Sequence, residues 1–213
     1  MQSIDFQFLA LPAAVLVFIT ALMLVSIQEW RVSLAALSVQ YIGVFILIAI
    51  QWPVMMALTK LVSGWICVIV LGMAMASSVN TSGENHLEGI RPRIQTVSKR
   101  SISTLVFRVV AAAMIGLVIL SLAPVVARWI PGIQYEPVIG ALILLGLGLL
   151  HLGLTADPLR VILALLTTLS GFEIMYASVE VSTLVAGLLA GVNLGLAMVG
   201  AYLFVAATVK GEA

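Results

Sequence analysis

Phe8-Leu9-Ala10-Leu11-Pro12-Ala13-Ala14-Val15-Leu16-Val17-Phe18-Ile19-Thr20-Ala21-Leu22-Met23-Leu24-Val25-Ser26-Ile27 contains no charged residue. At 1.5 Å of rise per residue such a run makes a helix of about 30 Å, the thickness of a bilayer's hydrocarbon core. Six more stretches can be read the same way: Val32–Ile50, Pro53–Ser77, Leu105–Ala127, Val138–Leu154, Pro158–Val179 and Val181–Thr208. Strands of alternating polarity, the mark of a membrane barrel, are not visible, so the spans read as helices. The expected fold is all-α, a polytopic membrane bundle of about seven transmembrane helices.

Composition agrees. The 213 residues are 62% hydrophobic and 9% charged, with mean hydropathy +1.22, whereas soluble domains carry about 25% charged residues. A net charge of +1 gives no field to gather nucleic acid. The single cysteine, Cys67, allows neither an intrachain disulfide nor a thiolate metal cage. No phosphate-binding glycine loop, paired-cysteine motif, zinc-protease helix or nucleophile elbow occurs, and the two histidines, His86 and His151, do not read as a haem or metal pair. No metal or cofactor is expected on this chain.

The breaks between spans are local signals. Gln28-Glu29-Trp30-Arg31 and Gln51-Trp52-Pro53 separate the first three spans, and Arg128-Trp129-Ile130-Pro131-Gly132 ends the fourth with an aromatic at the interface. Asp157-Pro158 is a helix start, with Asp157 as N-cap and Pro158 at the first helical position. Only Glu180 marks a turn within Ser178–Ser182, so six spans with one long apolar hairpin stay open as an alternative. The beginning, Met1-Gln2-Ser3-Ile4-Asp5, lacks the basic region of a signal peptide, and the first span is expected to be retained.

One domain is expected over 1–213: a three-span half (1–77), a polar cytoplasmic loop (78–103) and a four-span half (104–213). Orientation follows from the loop's Arg91, Arg93, Lys99 and Arg100. With these in the cytoplasm, Arg108, Arg31, Arg160 and Lys210 lie there too, and only Arg128 lies outside. The N-terminus is then outside and the C-terminus cytoplasmic. The loop's basic residues are a topology signal, or a surface for anionic lipid or a cytoplasmic partner.

Ionisable groups inside a membrane are costly and need a reason. Glu173 lies well inside its span, in a polar stripe of Ser170, Glu173, Tyr176, Ala177 and Glu180 at helical spacing. A carboxylate there can exchange protons, or can serve as a structural group bonded within the bundle. Lys60 lies at a similar depth, about 10 Å from the outer end of the third span. It reads either as the partner of Glu173 or as a side chain snorkelling to the interface. His151 falls nearer the cytoplasmic end, about 10 Å from Glu173 in height, as a proton relay or a helix-to-helix hydrogen bond. Asn193 carries the same two readings. Gly187, Gly191 and Gly195 form a small-residue ladder expected to dock closely on a neighbouring helix, with Asn193 pointing away from that face.

The run Gly171-Phe172-Glu173-Ile174-Met175-Tyr176-Ala177-Ser178, continuing to Val185-Ala186-Gly187, resembles the second helix of subunit K of NADH-quinone oxidoreductase. Length and span layout are similar to component E of hydrogenase-4-type membrane complexes, which carries a subunit-K-like region at its C-terminal end; here that region is 138–208. Lys60 loosely resembles a lysine of component E. The resemblance implies a non-catalytic subunit of an ion-translocating redox complex in a prokaryotic plasma membrane. Its partners would be antiporter-like and quinone- or hydrogenase-type membrane subunits. Glu173 would be the proton carrier, with Lys60, His151, Glu180 and Asn193 as further pathway candidates. Subunit K has a second glutamate in its last helix. The matching position here is near Gly191, beside Asn193, and holds no carboxylate.

Two other classes compete. A stand-alone small transporter would commonly show repeats or paired broken helices, and no repeat is evident. A structural scaffold would use the polar residues only for packing. A retinal protein is disfavoured, because the last span has no mid-helix lysine.

Overall fold

A computed structural model describes residues 7–27, 29–84, 102–130 and 133–210. Among these there are seven helices, α1 (Gln7–Ser26), α2 (Trp30–Ala49), α3 (Val54–Glu84), α4 (Ile102–Trp129), α5 (Tyr135–Gly153), α6 (Pro158–Ala177) and α7 (Thr183–Lys210). Each is long and apolar enough to cross a membrane. Their backbone groups are paired within each helix, which a segment surrounded by hydrocarbon requires.

The weakest boundary resolves into a turn. α6 stops at Ala177, and the amides of Val179 and Glu180 both donate to the Tyr176 carbonyl, at 3.0 and 3.1 Å. α7 begins three residues later, so the spans number seven and the long-hairpin alternative falls. Asp157 does occupy the N-cap of α6, with Pro158 at the first turn, but its side chain makes no cap bond. Its Oδ2 pairs instead with Arg160 Nε at 3.3 Å. The third helix extends past Ser77 to Glu84, so part of the expected loop is helical. Its 31 residues make about 46 Å, well beyond the hydrocarbon core. His86, Arg91, Arg93, Lys99 and Arg100 lie outside the described residues.

The helices form two layers. α1, α2 and α3 lie side by side, and so do α5, α6 and α7; α1 stacks on α5, α2 on α6 and α3 on α7. α4 stands outside this arrangement, packed on α5 and touching α1. Two ties fix the relative directions. Arg108 Nη1 donates to Val25 O at 3.0 Å and Nη2 to Leu154 O at 3.5 Å, gathering the ends of α1 and α5 with the start of α4. At the opposite end Trp52 Nε1 donates to Glu180 O at 3.0 Å, joining the α2–α3 turn to the α6–α7 turn. Stacked helices therefore run parallel, and neighbours within a layer run antiparallel. Arg31, Arg108 and Arg160, near the starts of α2, α4 and α6, share one end.

Close approach is made by glycines other than the expected ladder. A Cβ on Gly171 would come within 2.7 Å of Ala141 O and 2.8 Å of Leu145 N, so α6 lies almost backbone-to-backbone on α5. On α7 the ladder meets no helix of this chain: Gly187, Gly191 and Gly195 are exposed, with no atom within 4 Å of where a Cβ would stand. α7 packs on the bundle through the other face, where Asn193, Ala197 and Gly200 are buried at helical spacing. The glycine spacing shows that a face is smooth, and it does not say which face the chain itself uses.

Candidate functional site

Two buried apolar clusters fill the interior. One, rich in Val, Leu, Ile and Ala, lies mainly among α1, α2 and α5; the other lies mainly among α2, α3, α6 and α7 and includes Leu37, Tyr41, Cys67, Leu71, Leu163 and Leu166. Next to the second cluster the helices enclose charge. Lys60 from α3 and Glu173 from α6 are 6% and 4% exposed, and Lys60 Nζ forms an ion pair with Glu173 Oε2. Asn193, fully buried on α7, donates from Nδ2 to Glu173 Oε1 at 2.8 Å. The carboxylate is thus held on one oxygen by an ammonium and on the other by an amide, from two different helices.

The cation has a second neighbour. Lys60 Nζ stands 5.1 Å from the centre of the Tyr41 ring on α2, within cation–π range. That ring lies directly on Gly64, where a Cβ would fall 2.5 Å from Tyr41 Cγ. Gly64 is one turn beyond Lys60 on the same helix, so the missing side chain lets the ring reach the ammonium. Lys60 accordingly does not snorkel; its stem runs into the bundle. Inside the apolar bundle each member of the pair lies against the other and against one further partner, Asn193 for Glu173 and the Tyr41 ring for Lys60.

Beside the ion pair, on the side nearer the middle of the bundle, lie further polar groups, of which only Ser170 belongs to the stripe read from the sequence. Gln40 and Tyr41 on α2 and Thr167 and Ser170 on α6 are all buried. Gln40 Nε2 donates to Thr167 Oγ1 at 3.4 Å, and Ser170 Oγ donates to its own helix at Leu166 O, 2.8 Å. Gln40 and Tyr41 sit in a span read as charge-free, and the signal that could have found them is a glutamine in mid-span with no local reason to be there.

The remaining expected site residues lie elsewhere. His151 is buried, 2% exposed, in the last turn of α5, at the Arg108 end, with Arg160 and Arg108 as its charged neighbours. Glu173 is in the last turns of α6, at the opposite end. Counting along the helices puts the two about 20 Å apart in height rather than 10 Å, and His151 is not part of the ion-pair cluster. Glu180 is exposed, because α6 ends before it and the polar stripe breaks at the turn. Its carboxylate accepts from the Tyr176 hydroxyl at 3.4 Å, next to the Trp52 tie. Among the described residues no three His, Cys, Asp or Glu side chains gather as a metal group would require. A crevice of about 570 Å³ opens between α1, α4 and α5, away from the ion pair. Its wall is apolar except near Tyr135 and Glu136.

No protein-family model, curated protein or solved structure matches the chain.

Proposed function

We propose that this chain is a non-catalytic membrane subunit of a respiratory or hydrogenase-like complex, in which Glu173 takes part in coupled proton translocation. The observation that carries the reading is the Lys60–Glu173 pair, closed by Asn193 inside an apolar seven-helix bundle. Intramembrane ions are expensive to keep and are characteristic of ion and proton pathways. A carboxylate whose counter-ion sits on another helix can accept a proton, lose its hold on the ammonium and pass the proton on. The likeness of the segment around Glu173 to subunit K supports the same reading, as does the similar layout of component E. We place the Arg108 end in the cytoplasm of a prokaryotic cell, on the side where the basic residues gather. Antiporter-like and quinone- or hydrogenase-type subunits are the partners this role requires.

The test is Glu173→Gln in the intact complex, recovered through a tag on this chain. Coupled ion pumping is expected to fall while the complex still assembles; normal pumping in the variant overturns the assignment. A scaffold role is the second reading, favoured by the full set of partners around the Glu173 carboxylate. It gives the opposite result, with assembly damaged and ion movement per assembled complex intact.

A further inference from the structure

We propose that Gln40, Tyr41, Thr167 and Ser170 hold a short internal chain of water that runs from the middle of the bundle to Glu173. Four observations converge on it. First, the groups are aligned. α2 and α6 run parallel, so Gln40 faces Thr167 while Tyr41 and Ser170 come next toward Glu173. Thr167, Ser170 and Glu173 follow one another every three residues, about 4.5 Å of rise each, a separation that one water can bridge.

Second, the groups are sealed from outside solvent but incompletely paired. Gln40 Oε1 and Asn193 Oδ1 are buried and have no hydrogen-bond partner among the described residues, and the Tyr41 hydroxyl, which neighbours Ser170, makes no well-formed bond. Leaving such an atom unsatisfied is costly, and buried polar groups are ordinarily satisfied by protein or by ordered water. Third, the one direct contact is loose. At 3.4 Å the Gln40–Thr167 bond is longer than the usual 2.7–3.2 Å range, so both groups have capacity for a nearer partner.

Fourth, the chemistry of the site selects water over a metal cation. Water can donate to an acceptor such as Gln40 Oε1 and accept from a donor such as the Tyr41 hydroxyl. A sodium ion would find oxygen ligands here, but the Lys60 ammonium already lies over the Tyr41 ring and repels it.

The column is closed at both ends. Toward the Arg108 end Leu37 and Leu163 are buried at 0% and 1% exposure, one turn from Gln40 and Thr167. Toward the other end lie Ala177, buried, and the edge-on pair of Trp52 and Tyr176, whose ring centres are 6.3 Å apart. In this state the waters are a store beside the carboxylate, and a proton enters or leaves only when one of these apolar ends opens toward a donor or acceptor on an adjoining subunit. A proton passed along them converts the Glu173 carboxylate into the acid and leaves Lys60 without its counter-charge. Release of that proton to the next acceptor restores the pair. This proton role rests on the reading of Glu173 given above; the hydration does not.

Water-edited solid-state NMR of the full isotope-labelled chain in lipid bilayers tests the hydration. Transfer from water is expected at the Gln40 side-chain amide, the Tyr41 ring and Ser170, and not at Leu37 or Leu166. Gln40 and Tyr41 as dry as those leucines would overturn the proposal. Tyr41→Phe keeps the ring on Gly64 and removes only the hydroxyl. It is expected to lose the water signal at Ser170 and keep that at Gln40; an unchanged Ser170 signal overturns the place given to Tyr41. In the intact complex the same variant is expected to slow pumping. Wild-type pumping in Tyr41→Phe, with pumping blocked in Glu173→Gln, overturns the proton route and leaves the Glu173 reading standing. Wild-type pumping in Glu173→Gln overturns that reading and with it the proton route, while the NMR result still decides the hydration.

Discussion

The α1–α5 contact and the α3–α7 contact are both parallel helix pairs at opposite edges of one bundle, yet they are filled in opposite ways. Between α1 and α5 the interior is Val17, Ala21, Ala141, Leu144 and Leu147, and Thr20 spends its hydroxyl on its own helix at Leu16 O, 2.9 Å. Between α3 and α7, with α6 behind them, Lys60, Glu173 and Asn193 are buried together. Nothing in the architecture demands the second solution, because apolar packing holds α1 to α5 without it. Buried ion pairs are often no more stable than well-packed apolar residues of the same volume. The functional reading proposed above rests on this edge, where a lysine and a glutamate stand in place of apolar side chains.

The sharpest way to break the comparison is to make the polar edge apolar in two steps. Lys60→Met leaves Glu173 buried without its counter-charge, and a loss of about 3–5 kcal/mol is expected. Lys60→Met with Glu173→Met removes both charges and is expected to recover most of that loss. Cys67 is the only cysteine and is buried, so thiol-reactive dye labelling during heating of the purified chain reports unfolding. A double variant no more stable than the single would mean that the pair itself holds α3 to α6. At the apolar edge, Leu144→Ala has no charge to expose. It is expected to cost about 2–5 kcal/mol through lost contacts and the cavity left behind, with no compensating partner.

The two edges also differed in how far the sequence revealed them. Span number and placement were legible because an uncharged run of bilayer length has few other readings, and the structure moves their ends by only a few residues. The depth match of Lys60 and Glu173 was legible too, since rise per residue is constant. That they touch was not, because α3 and α6 are diagonal in the two layers and meet through the long Lys60 side chain, which no loop length encodes. His151 was misjudged in height because the span ends were set too loosely, and Glu180 because the helix ends at Ala177. Tyr41 escaped because its role depends on Gly64, a residue from another helix whose importance is only that it has no side chain.

The glycines give the smallest contrast. Gly171 and Gly191 are both membrane-helix glycines, and the sequence favoured the ladder containing Gly191 as the packing face. The structure puts the Ala141 carbonyl within 2.7 Å of a Cβ on Gly171 and nothing within 4 Å of one on Gly191. Gly171→Ala must therefore push α5 away from α6, one helix position from Phe172 and two from Glu173. Overpacking of this kind costs about 1–3 kcal/mol. Gly191→Ala meets no atom of the chain and exchanges a poor helix former for a good one, so the change is expected to lie between neutral and a gain of about 1 kcal/mol. Both are read by the same thiol-dye melting curve. A Gly191→Ala loss as large as that of Gly171→Ala would mean that the outward face of α7 is packed against something in the purified protein, and the assignment of its inward face to Asn193, Ala197 and Gly200 would have to be redrawn.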